Sequence, residues 1–348
     1  MKTIWKELMA CVLMVLVLPG VAMHVTGEIL KKEEKLEVAA QSPSEPEPEL
    51  RELTGNPLIP VRFSDGVVKK LDMEEYLVGV VLAEMPANFE TQALRAQAVA
   101  ARTYAGKAHL YGGKHGDGSI CTDSTCCQAY VSQAGYLKQG GSALGVEKVR
   151  NAVRATKGQV LTYQGELIEA TYFSCSGGST EDAQAVWGAD FPYLRAVPSP
   201  GEENTQFYED QMTIPREKAE SLLGFTLPEN PMEWIGEVRR TAGDGVATME
   251  LGGRIFKGTE LRSLLGLRST CFTASADDRG LLIVTRGYGH RVGMSQYGAD
   301  AMAAAGKTYR EILSYYYQGT ELSDYVPPEE DLPENTLEFT EDSQGDIA

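Results

Sequence analysis

The sequence predicts an α+β fold. Short strand-like runs of alternating apolar residues are interleaved with helix-period segments, the strands and helices do not recur at regular βαβ spacing, and no internal repeat is present. Both ends of the 348-residue chain have compositions that cannot build a core. They are expected to flank one folded region at residues 57–320 as a disordered N-terminal tether and a disordered C-terminal tail.

At the N-terminus, Lys2 and Lys6 precede an uncharged run from Leu8 to Met23. Basic residues ahead of an apolar run, with no small-residue cleavage site after it, predict an uncleaved membrane anchor over residues 1–27 with its N-terminus inside. A removed signal peptide is the alternative. Residues 28–56 are rich in Glu, Lys, Ser and Pro and read as a stiff tether. Residues 321–348 hold ten acids and no base, the pattern of a solvated tail. These ends carry most of the formal charge of −17, so residues 57–320 are nearly balanced at −4. Without a basic face, nucleic acid is excluded as a ligand.

Within 57–320, Val61 to Val68 predicts a hairpin turning at Asp65-Gly66. Asp72 and Glu75 form a start signal for a helix running to Glu84, where Met85-Pro86 ends it. Leu94, Ala98, Ala101 and Ala105 recur at helical spacing and predict a second helix over 89–107. A short helix is expected at 149–156, and then a hairpin over 158–173 around Gln164-Gly165-Glu166. Further strands are predicted at 238–241, 246–251 and 281–285, with helices at 260–265, 295–305 and 309–317. Thr308 and Glu311 supply a capping box for the last of these.

Three stretches carry candidate chemistry. Glu84 closes an apolar helix, where a helix C-terminus and partial burial would both keep a carboxyl protonated toward neutral pH, as a general acid requires. An exposed helix-end glutamate without function is the alternative. His115, Cys121, Cys126 and Cys127 lie within thirteen residues on a glycine-rich loop, a donor set for a structural tetrahedral zinc. A disulfide from Cys121 to Cys126 or Cys127 is the competing reading outside the cytoplasm. Residues 286–299 form a glycine-rich strand-to-helix junction whose Tyr, His and Gln side chains suit a carbohydrate groove. Cys175 with His290 lacks the third orienting group of a cysteine hydrolase.

Several ordered motifs resemble the SpoIID family of sporulation proteins. They are Tyr76-Leu77-Val78-Gly79-Val80-Val81-Leu82-Ala83-Glu84-Met85-Pro86, the 93–105 helix with Arg102, Cys121-Thr122-Asp123-Ser124-Thr125-Cys126-Cys127-Gln128-Ala129-Tyr130, Ser176-Gly177-Gly178-Ser179-Thr180, Pro192-Tyr193-Leu194, and Gly289-His290-Arg291-Val292-Gly293-Met294-Ser295-Gln296-Tyr297-Gly298-Ala299. The resemblance spans most of residues 58–320. It implies a peptidoglycan lytic transglycosylase of forespore engulfment that cleaves the MurNAc-GlcNAc bond of denuded glycan strands and leaves 1,6-anhydro ends. It also implies a folded domain between mother-cell and forespore membranes, with stage II sporulation proteins P and M as partners. By the same resemblance Glu84 matches the catalytic acid. Arg102, Tyr193 and Arg195 fall where the family carries groove residues, and His290, Gln296 and Tyr297 lie in its junction motif. Cys126 stands where related loops carry a His of a two-Cys, two-His zinc site, which favours metal over disulfide. Arg291 stands where Gly is usual. A non-catalytic amidase enhancer is the alternative function.

Overall fold

The computed structural model describes residues 56 to 328 and residue 331. The expected anchor, all but the last residue of the tether, and most of the acidic tail lie outside the described residues. No helix among the described residues is long and apolar enough to cross a membrane.

Strands β1 (Leu58–Arg62) and β2 (Val68–Asp72) make the expected hairpin, with Gly66 at a φ of 82° in its turn. Asp72 then accepts the backbone N–H groups of Glu74 and Glu75 at 2.9 and 3.1 Å and starts α1 (Met73–Glu84). The reciprocal half of the predicted start signal is not made, because Glu75 turns to Arg150 and Gln133. Helix α1 has no polar stripe, so it can only be central. Leu77, Val78, Val80 and Val81 are fully buried, each contributing roughly 1.5–3 kcal/mol. A side chain at Gly79 would collide with the Tyr130 ring and the Val131 carbonyl, so glycine permits that close approach.

Helix α2 (Thr91–Tyr111) runs further than expected, packs on α1, and buries Ala93, Ala96, Ala100 and Ala101 in the same core. Strand β3 (Ile120–Cys121) follows, parallel to β1. Next come α3 (Gln133–Lys138) and α4 (Ala143–Ala155). Helix α4 begins ahead of the predicted 149 because the Ser142 hydroxyl accepts the Gly145 N–H at 3.0 Å.

Strands β4 (Gln159–Tyr163) and β5 (Glu166–Leu167) turn at Gln164 and Gly165, both at positive φ as a two-residue hairpin loop demands. The hairpin expected through 173 is shorter. Strand β6 (Tyr172–Phe173) leaves it to pair in parallel with residues 294–295. After β7 (Gly178–Ser179), α5 (Ala183–Trp187) and β8 (Pro198–Ser199), the chain builds a second core.

That second core is made by β9 (Glu209–Ile214), α6 (Arg216–Leu223), β10 (Ile235–Arg240), β11 (Val246–Leu251), β12 (Arg254–Lys257), α7 (Gly258–Leu265), β13 (Cys271–Asp277) and β14 (Gly280–Arg286). Two antiparallel sheets, ordered β13-β14-β9 and β10-β11-β12, bury Trp234, Leu251, Leu261 and Ile283 with the two helices. The chain then returns to the first core through β15 (Met294–Ser295), α8 (Gln296–Ala304) and α9 (Tyr309–Tyr316), whose Thr308–Glu311 capping box forms as predicted.

The folded region continues past the expected boundary at 320. Strand β16 (Glu321–Asp324) pairs with β4, the Tyr325 ring covers Gly106, and buried Asp331 takes the Lys70 ammonium at 2.7 Å and faces His109 Nε2 at 3.1 Å. Acidic composition concealed the strand, because its backbone pairing needs no apolar side chains.

Candidate active site

A cleft of about 1480 Å³ opens where the end of α1, the second half of α2, the 169–174 segment, α5 and the 286–297 junction meet residues 262–268 of the second core. Glu84 lines it as the last residue of α1, with Met85 in extended conformation after it. Its Oε1 accepts the Ala129 N–H at 2.8 Å, and its Oε2 accepts from Gln296 Nε2 at 3.3 Å. Burial raises its pKa above the usual carboxyl range, and those two hydrogen bonds, which favour the carboxylate, oppose the shift without cancelling it. The expected shift is therefore present, with burial as its main cause. Glu169 is the other carboxyl in the lining, and it is held by Lys107 at 3.0 Å.

Of the residues the resemblance assigned to the groove, Gln296, Tyr297 and His290 line it. Gln296 touches Glu84 itself. Tyr297 packs between Phe89 and Phe207, with ring centroids 4.9 and 5.5 Å away. His290 lies between Phe173 and Trp187, and its Nδ1 accepts the Val292 N–H at 3.1 Å. Burial, then the nearby Arg262 charge, lower its pKa to about 4. His290 is thus a neutral wall of the cleft at physiological pH.

Arg102, Tyr193 and Arg195 are placed elsewhere. Arg102 is fully buried in a bidentate pair with Glu74, at 2.8 and 2.5 Å. The Tyr193 hydroxyl accepts the Glu169 N–H at 3.1 Å, and its ring packs at a tilt against Tyr163 and Phe191. Arg195 pairs with Asp190 at 2.7 Å on the surface. A motif match reports that a residue type recurs, and here Arg102 and Tyr193 serve packing behind the cleft. Reading the sequence missed Trp187 and Phe207, whereas Tyr288 belongs to the 286–299 junction whose tyrosines were expected to suit a groove. Trp187 and Tyr288 are 43 % and 45 % exposed, unusually open for large aromatics, and both line the cleft.

Arg291, where glycine is usual, sits at a φ of 66°. A non-glycine residue there costs on the order of 1 kcal/mol, and the surroundings hold it in place. Its buried guanidinium donates to the carbonyls of Ser176, Ser179 and Gly243 at 2.7 Å each and pairs with Glu181 at 3.1 Å. Cys175 donates to Glu202 at 2.9 Å instead of meeting His290, and burial with that carboxylate pushes its thiol up to about 12. That leaves no activated nucleophile at Cys175.

His115, Cys121, Cys126 and Cys127 converge beside the cleft with all four donor atoms within 4.8 Å of one another. His115 Nε2 is 3.8 and 3.7 Å from the Cys126 and Cys127 sulfurs, which are 3.9 Å apart. These separations are close to the edges, about 3.5–3.8 Å, of a tetrahedron built from ordinary zinc bond lengths, and Cys121, Cys126 and Cys127 are not joined by a disulfide in this structure. The group could hold a metal ion. The same loop runs on through Gln128, bonded to Tyr76 and Tyr172, to the Ala129 N–H on Glu84.

The described residues thus form an α+β domain with an aromatic-lined cleft, a largely buried carboxyl in its wall, and a His/Cys cluster on the loop that hydrogen-bonds that carboxyl. A profile of the SpoIID family, described as "Stage II sporulation protein", matches residues 64–163. Stage II sporulation protein D of Bacillus subtilis (strain 168) is 39% identical over 272 residues, covering 76% of this chain and 79% of its own. The protein of that name from Bacillus amyloliquefaciens is also 39% identical over 272 residues, with 76% and 78% covered. An amidase enhancer of Bacillus subtilis is 30% identical over 305 residues, covering 72% of this chain and 40% of its own. The chain belongs to the SpoIID family of sporulation proteins.

Proposed function

We propose that the protein is a lytic transglycosylase acting on denuded peptidoglycan strands during forespore engulfment. The observation that carries this reading is Glu84, a carboxyl with a raised pKa and no ion pair among the described residues, at the wall of a cleft whose exposed aromatics suit sugar faces. The protonated Glu84 gives its proton to the oxygen joining MurNAc to GlcNAc. The resulting carboxylate takes the proton from the muramic 6-hydroxyl, whose oxygen closes on C1 as the 1,6-anhydro ring. One carboxyl thus acts twice, whereas hydrolysis uses two flanking ones. The pairing of Glu169 with Lys107 supports this economy.

Mass spectrometry of denuded glycan digested by the full-length protein tests the reaction. The expected products end in 1,6-anhydro-MurNAc, and reducing ends in their place would overturn the transglycosylase reading. The amidase-enhancer relative favours a second reading, a wall-binding module that stimulates an amidase. It is supported if the glycan stays intact while an added amidase is accelerated. Stage II sporulation proteins P and M are the partners this reading assigns, and the N-terminal anchor would hold the domain at the membrane.

The cluster fits zinc, held by His115, Cys121, Cys126 and Cys127 with every position filled by protein, so its role is to fasten the loop. Through Gln128 and Ala129 that loop supports one of the two hydrogen bonds on Glu84. Elemental analysis of the purified protein is expected to give one zinc per chain. Cys127→Ser should lose the metal and lower the melting temperature. A mass two hydrogens lighter, without zinc, would instead establish a disulfide.

A further inference from the structure

Four cationic side chains line the cleft: Lys107, Lys114, Arg262 and Arg268. Three are engaged. Lys107 pairs with Glu169 at 3.0 Å, Lys114 donates to the Cys126 carbonyl, and Arg268 pairs with Asp210 at 3.1 Å. The Arg262 guanidinium, in the last turn of α7, makes no hydrogen bond or ion pair with any described residue. It is more buried than exposed, and burial lowers its pKa below the usual guanidinium range, with the Tyr288 hydroxyl acting weakly the other way. A guanidinium drawn out of water without a counter-ion is costly, and the helix C-terminus beside it offsets only part of that cost.

The surroundings indicate what would complete it. Arg262 faces the side of the cleft built by Tyr288 and by His290, whose neutrality leaves it no competing charge. A planar fork of N–H donors matches a carboxylate, and the aromatic wall matches a sugar carrying it. In peptidoglycan each muramic residue bears a lactyl group that is a neutral amide while the stem peptide is attached. Hydrolysis of that amide leaves one free carboxylate per disaccharide.

We propose that Arg262 reads this lactyl carboxylate and is the residue by which the cleft distinguishes the free acid from the amide of a peptide-bearing strand. The proposal rests on the glycan reading given above.

The test is a binding measurement without turnover. Full-length Glu84→Gln protein is titrated calorimetrically with denuded MurNAc-GlcNAc oligosaccharides, with the same oligosaccharides converted to lactyl methylamides, and with peptide-bearing ones. The free carboxylate is expected to bind about tenfold tighter than the methylamide, and the peptide-bearing form no better than the methylamide. Adding Arg262→Gln should erase that difference, and Arg262→Lys should restore part of it, which separates charge recognition from any loss of folding. Equal binding of acid and amide by the Arg262 protein, or an undiminished preference in Arg262→Gln, would overturn the proposal. So would tight binding of the peptide-bearing form that is lost in Arg262→Gln, because a peptide carboxylate would then be the group read. Failure of every oligosaccharide to bind would instead overturn the glycan reading itself.

Discussion

Glu84→Gln is expected to abolish glycan cleavage, by about 10²–10⁴-fold as for loss of a general acid–base, while leaving strand binding nearly intact. The amide keeps the size of the side chain and loses the transferable proton. Its carbonyl oxygen can still accept one of the hydrogen bonds from Ala129 and Gln296. The wild-type rate should fall as pH rises through the raised Glu84 pKa, because the first step needs the protonated form. Stability follows the same sign. A carboxyl whose folded pKa lies above its unfolded one favours the fold at low pH, and that contribution is lost as pH rises through the folded value. The glutamine variant should therefore melt at or above the wild-type temperature at pH 8, with the gap narrowing toward pH 4. Calorimetric melts and a pH series of digestion rates check both. Retained cleavage by the variant would remove Glu84 from the chemistry.

Arg102→Ala should damage folding far more than binding. The Arg102 guanidinium bonds both oxygens of Glu74 and the Gln159 and Val153 carbonyls, joining α1, α2, α4 and β4. Its side chain is 0% exposed and that of Glu74 is 3% exposed. Removing one partner of such a pair leaves the other charge buried alone, at a cost of roughly 3–5 kcal/mol. That is a large share of a domain's stability. Arg102→Lys should recover only part of it, because an ammonium cannot span both oxygens. Denaturant titration should show the loss for Arg102→Ala. A variant that folds normally and binds glycan poorly would return Arg102 to the groove.

Much of the local structure was legible because it rests on neighbours in the chain. The Asp65-Gly66 and Gln164-Gly165 turns, the Asp72 helix start and the Thr308–Glu311 box each depend on residues within a few positions. So does the ending of α1 at Glu84. The convergence of His115, Cys121, Cys126 and Cys127 was readable for the same reason, as thirteen residues of loop can fold around one point.

What depended on distant pairing was hidden. Residues 321–324 look like solvated tail until β4 offers them a strand edge, and β6 abandons its hairpin for a partner more than a hundred residues away. Arg102 and Arg262 are the same residue type on predicted helices, yet one meets Glu74 in the core and the other meets no counter-ion among the described residues at the cleft. Spacing along a chain constrains turns, caps and local ligands. The surroundings of a long charged side chain are set by which remote segment packs against it, and that choice made Arg102 structural and left Arg262 open to a ligand.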